Sequence, residues 1–159
     1  MLEIDRPETT KRVRKFFKSD LEHYKSLAGA GRYDLKAINY TNTKVKSTPK
    51  AGGLENYYIA TIEASNIVRA VKPAIENCEP TLKKLLTMKV IQKRPVWQIK
   101  QALLYEKTKY YVLESKAFNN FADMFTLEQL KQESPNILDL HVYQSQEQKN
   151  DILQSKKLN

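Results

Sequence analysis

Turn residues are what this chain lacks. Four glycines and six prolines in 159 residues cannot supply the turn every few positions that a sandwich or barrel demands, whereas Leu, Lys, Glu and Gln, all good helix formers, are abundant. The expected fold class is therefore all-α. At this length the chain holds one ordinary domain or two small helical lobes, which argues against a large catalytic scaffold.

The first helix is expected to open with Asp5 as N-cap and Pro7 in the first turn, where the missing N–H costs nothing. Val13, Phe16, Phe17, Leu21, Tyr24 and Leu27 recur at three- and four-residue steps and share one stripe. That stripe suits either a core or a dimerisation face. Gly29 and Gly31 end the helix near residue 28. From Arg32 to Gly53 no period is sustained, and STPKAGG reads as a flexible connection, which makes residues 1–53 an N-terminal region. A helical domain over 54–143 follows. Its first helix runs from Leu54 to about Cys78, with Ile59, Ile62, Ile67, Ala70, Val71, Ala74 and Ile75 on the buried side and Pro73 expected to kink or interrupt it. Residues 144–159 read as a polar, disordered tail.

Met1 is followed by LEIDRPETTKRVRKFF, charged where a secretory signal needs an apolar core, and no apolar run approaches the roughly 18–20 residues of a membrane span. The single cysteine, Cys78, has no partner for an internal disulfide. A soluble, cytoplasmic protein with no membrane partner is expected. The net charge of +9 is unevenly placed: residues 1–53 carry 12 basic and 6 acidic side chains, and 81–120 carry 9 and 2. Blocks of this kind attract a polyanion, whose counterions are released on binding.

The second block contains a helix-turn-helix pattern at about residues 96–121. Thr81–Val90 presents Leu82, Leu85, Leu86 and Val90; a second helix opens at Pro95 and ends near Leu103; Tyr105 and Glu106 mark the turn; a third helix runs from Lys107 to about Phe121 or beyond. Counted from Val96, the places that hold two such helices together carry Ile99, Leu103, Tyr105, Tyr110 and Leu113. Lys100 and Leu104 depart from the small residue and glycine usual there, and Leu104 in a left-handed conformation would cost about 1–2 kcal/mol. On the third helix Tyr110, Leu113, Ala117, Phe118 and Phe121 form the inward stripe. Lys107, Thr108, Tyr111, Val112 and Ser115 are then expected to face the major groove, with Lys109, Lys116, Lys93 and Arg94 on phosphates. Trp97 reads as a core anchor.

The run VWQIKQALLYEKTKYYVLESKAFNNFADMF, followed by LDLHVY, resembles the ArpU family of phage-encoded transcriptional regulators, whose C-terminal half is similar to region 4 of bacterial sigma factors. The opening LEIDRPETTKRVRKFF resembles that family's N-terminal helix. The strongest piece is a YYxLxxKAxxxFA pattern, carried by Tyr110, Tyr111, Leu113, Lys116, Ala117, Phe121 and Ala122. The resemblance implies a sequence-specific regulator of late phage or prophage genes, bound to double-stranded DNA in the nucleoid of a bacterial host.

RNA polymerase and a homodimer are further partners to consider. Two other classes share these features: a DNA-packaging protein such as a small terminase subunit, and a sigma-like module that binds RNA polymerase. No enzyme activity is expected, since the chain has no glycine-rich phosphate loop and no nucleophile elbow. His23, His141 and Cys78 are scattered without metal-ligand spacing, so neither a metal nor a cofactor is expected.

Overall fold

The computed structural model describes residues 2–29, 51–103 and 107–145, and the side chains of all of these except 51, 52, 107 and 108. The first helix, α1 (Arg6–Lys15), starts where expected: Asp5 is extended, its carboxylate accepts the Glu8 N–H at 3.1 Å, and Pro7 sits in the first turn. It runs into a π-helical turn (Phe16–Asp20), closed by the Leu21 N–H on the Phe16 carbonyl, and continues as α2 over residues 21–29. Then come α3 (Ala51–Glu76), α4 (Pro80–Leu86) with a second π-helical turn (Thr87–Ile91), α5 (Val96–Leu103) and α6 (Lys107–Lys131).

The spine is α6, which runs ten residues beyond Phe121. Helices α1, α3 and α4 all pack on it. Its buried side is largely aromatic: Phe118, Phe121 and Phe125 are fully enclosed and meet Phe16 and Phe17 of the π-helical turn, with ring centroids 4.6 Å apart for Phe17 and Phe121 and 5.4 Å for Phe16 and Phe125. The apolar stripe of the first helix is thus buried inside the chain, in one core with Ile75, Leu85, Leu86, Ile99 and Tyr110.

Helix α3 corrects three expectations. It begins at Ala51, so the AGG of the supposed connection is its first turn, while the rest of that connection, residues 30–50, lies outside the described residues. Of the kink or interruption expected at Pro73, the interruption is absent, for the helix is continuous through it. Ala70, Val71, Ala74 and Ile75 are buried on either side of the proline, and this packing outweighs the loss of one internal hydrogen bond. Ile59 is 46% exposed and Ile62 only half-buried. The physical reason is length: Asn136, past the end of α6, meets Glu63 at 2.6 Å, so the earlier turns of α3 lie beyond the helix that would have covered them.

After α6 the chain turns at Glu133 and Ser134 in a Schellman arrangement, with Ser134 N–H on the Gln129 carbonyl. Residues 137–145 then lie against the molecule. The Gln129 side chain accepts from the Leu138 N–H and donates to its carbonyl, at 2.8 and 2.9 Å. Asp5 N–H donates to the Val142 carbonyl at 2.7 Å and Gln144 N–H to that of Glu3 at 2.8 Å, around an isolated antiparallel bridge between Ile4 and Tyr143. His141 is enclosed between Asp123 and Asp139. Gln144, expected in the tail, therefore belongs to this clasp; residues 146–159 lie outside the described ones.

Candidate nucleic-acid interface

The orientation of α6 is fixed by a buried carboxylate. Glu114, with a side chain only 2% exposed, accepts from the Arg14 guanidinium at 2.9 Å and the Lys89 ammonium at 3.1 Å, which ties α6 to α1 and to the second π-helical turn. Burial alone would push its carboxyl up, but the hydrogen bond from Arg14 and the charge of Lys89 outweigh it and hold the group below the ordinary glutamate range. The same enclosure, with the charge of Glu114, pushes the Tyr110 hydroxyl up. Glu114 is the one acidic residue among positions 107–122, and its i+4 relation to Tyr110 and i−4 relation to Phe118 place it on the inward stripe. The sequence reading gave that place to Leu113, which is only half-buried. A carboxylate in phase with a core stripe inside a basic segment is the signal that would have found it.

Helix α1 runs antiparallel across α6 from this cluster towards residue 123. The Thr10 and Ser115 hydroxyls are 2.8 Å apart, the Asn119 amide donates to Thr10 at 2.9 Å and to the Arg6 carbonyl at 3.2 Å, and Arg6 reaches Asp123 at 3.5 Å. Ser115, expected to face outward, is thereby half-buried against α1, because its hydroxyl gains a partner there. What α1 leaves uncovered is the start of α6.

Among the remaining expected DNA-facing residues, Lys109, Val112 and Lys116 share the outward stripe at i, i+3 and i+7, and all are exposed, Val112 at 56%. Tyr111 is 45% exposed but lies to one side, where the Lys100 ammonium stands 5.6 Å from its ring and from that of Tyr110. Lys100, too large for the place where small residues are usual, thus joins α5 to α6 through the two rings. Lys107 and Thr108 open α6, but their side chains are outside the described residues, as are Leu104, Tyr105 and Glu106. Lys93 and Arg94 are exposed before α5; Lys93 holds φ 51° and pairs with Glu22 at 3.3 Å. No family model, curated protein or solved structure matches the chain. Trp97 overturns its reading as a core anchor, for it is 60% exposed while Ile99 two places on is fully buried. One helix face cannot bury both, and the interior takes the isoleucine.

An uncovered helix start carrying two lysines around a valine can do little acid–base or nucleophilic chemistry. It can donate to guanine O6 and N7 and touch a thymine methyl.

Proposed function

We propose that the chain is a sequence-specific, DNA-binding transcriptional regulator that inserts the first turns of α6 into the major groove as the second helix of a sigma region 4-like helix-turn-helix. The observation that carries this reading is the exposure of Lys109 and Val112 on the part of α6 that α1 leaves free, with Lys116 exposed on the same outward stripe, since a recognition helix reads bases with its N-terminal residues. Lys107 and Thr108 belong to the same reading head, and Arg94 and Lys93 supply phosphate contacts that set register. The resemblance to phage regulators supports late phage or prophage genes as the targets.

Selection of bound duplexes from a random pool tests the proposal. A single enriched motif is expected. Replacing Val112 with Ala should then lower affinity for that motif by about 1–3 kcal/mol for the base interaction removed, and replacing Lys109 should weaken target and random DNA about equally, with thermal stability unchanged because both side chains are exposed. A pool that yields no motif, or a Val112→Ala variant that keeps full preference for target over random DNA, would refute it.

A further inference from the structure

A concavity of about 470 Å³ separates the two π-helical turns. One wall is a stripe of the α1–α2 run, positions 14 to 25, which spans about 16 Å of helix. The other is the end of the second π-helical turn and the residues after it. Arg14, Lys18 and Lys25 stand on the first wall, and Lys89, Lys93 and Arg94 on the second. Phe17 and Val90, both half-buried, form the accessible floor, with Leu21 and Phe118 behind them. Arg14 and Lys89 are engaged by Glu114 and Lys93 by Glu22, which also pairs with Lys25, while Lys18 and Arg94 meet no carboxylate among the described residues. The hydrogen bond from Lys93 and the charge of Lys25 hold the exposed Glu22 carboxyl below its ordinary range.

We propose that this groove binds an acidic amphipathic helix of a partner protein, with the partner's apolar side chains on Phe17 and Val90 and its carboxylates along the two rows of cations. Charge complementarity selects the occupant, since six cations share two carboxylates, Glu22 and the buried Glu114, and Lys18 and Arg94 meet neither. The apolar floor favours this occupant over a nucleic acid seated in the groove: a phosphodiester backbone has no aliphatic surface to lay on Val90, Phe118 is fully buried, and the ring of Phe17 is packed against those of Phe16, Phe118 and Phe121, while Lys93 and Arg94 on the second wall are shared with the proposed duplex contacts. Length agrees as well, because the wall accommodates about three turns of a helix lying in a groove. Both walls contain a π-helical turn, a feature found frequently at functional sites.

The probe is a fluorescein-labelled synthetic helix with Leu and Phe on one face and Glu on the other, titrated with the full chain at physiological ionic strength and followed by anisotropy. Saturable binding is expected, weakened at least about tenfold by the double variant Lys18→Glu/Lys25→Glu. Those residues are exposed and lie outside the proposed DNA face, so thermal unfolding and affinity for duplex DNA should change less than about threefold. A peptide of the same composition in scrambled order should bind at least about tenfold more weakly. Equal binding of the scrambled peptide, an unaffected double variant, or a single-stranded oligonucleotide that displaces the probe and is itself lost on charge reversal would each overturn the proposal. None of these results depends on whether α6 reads DNA.

Discussion

At the scale of single residues, Glu114 shows how an acidic group becomes structural in a basic chain. Its two cationic partners come from different elements and both keep contact with water, Arg14 at 49% and Lys89 at 27% side-chain exposure, whereas the carboxylate has almost none. Glu114→Gln should therefore cost about 2 kcal/mol, below the range for wholly buried pairs, because the orphaned cations can rehydrate. A carboxyl depressed in the folded state contributes stability that is complete above its unfolded value and is lost as pH falls through the folded one. The stability of the wild type, read by chemical unfolding, should accordingly fall as pH drops below the ordinary glutamate range, and in Glu114→Gln that part of the acid limb should flatten. An unchanged acid limb would mean that other carboxylates carry it. Glu114 escaped apolar periodicity, which finds cores by hydrophobicity, because a satisfied buried charge carries no hydrophobic mark; only its phase with the stripe in a basic segment gives it away. Trp97 failed in the converse way: its size suggested burial, while phase with Ile99 decided against it.

Among the elements, those whose signals are local were legible. The Asp5 cap, the stripe through Val13, Phe16 and Leu21, and the segments that became α4, α5 and α6 all follow from spacing and end residues. The parts set by what one element meets elsewhere were not, such as the uncovered start of α3, the uninterrupted passage through Pro73 and the coverage of Ser115 by α1. The candidate face was legible in part, since Lys109, Val112 and Lys116 are exposed as expected, whereas Ser115 depended on a helix more than a hundred residues away. The apparent break before residue 54 also misled, for Phe16 and Phe17 complete the aromatic side of α6. Phe16→Ala should cost about 3–5 kcal/mol, read as a shift in denaturant midpoint, while Leu113→Ala, at a half-buried place, should cost less than about 2 kcal/mol. The opposite ranking would mean that α1 is peripheral and that residues 54–143 form their own core.

For the whole molecule, charge and shape act together. If the basic block at 81–120 meets duplex phosphates, the logarithm of duplex affinity should fall linearly with the logarithm of salt, at about −0.9 per phosphate neutralised, and Lys116→Ala should shrink the slope by about one unit. A flat response in fluorescence titrations would rule out phosphate contact. The antiparallel seating of α1 on α6 has a consequence for biosynthesis. Phe16 and its partner Phe121 are separated by most of the chain, so the ribosome delivers the first helix long before the surface that hides its rings. Closing so distant a contact is slow compared with forming either helix. A nascent chain arrested before α6 emerges will hold Phe16, Phe17 and Leu21 uncovered, as an adhesive strip open to chaperones until α6 arrives to hide it.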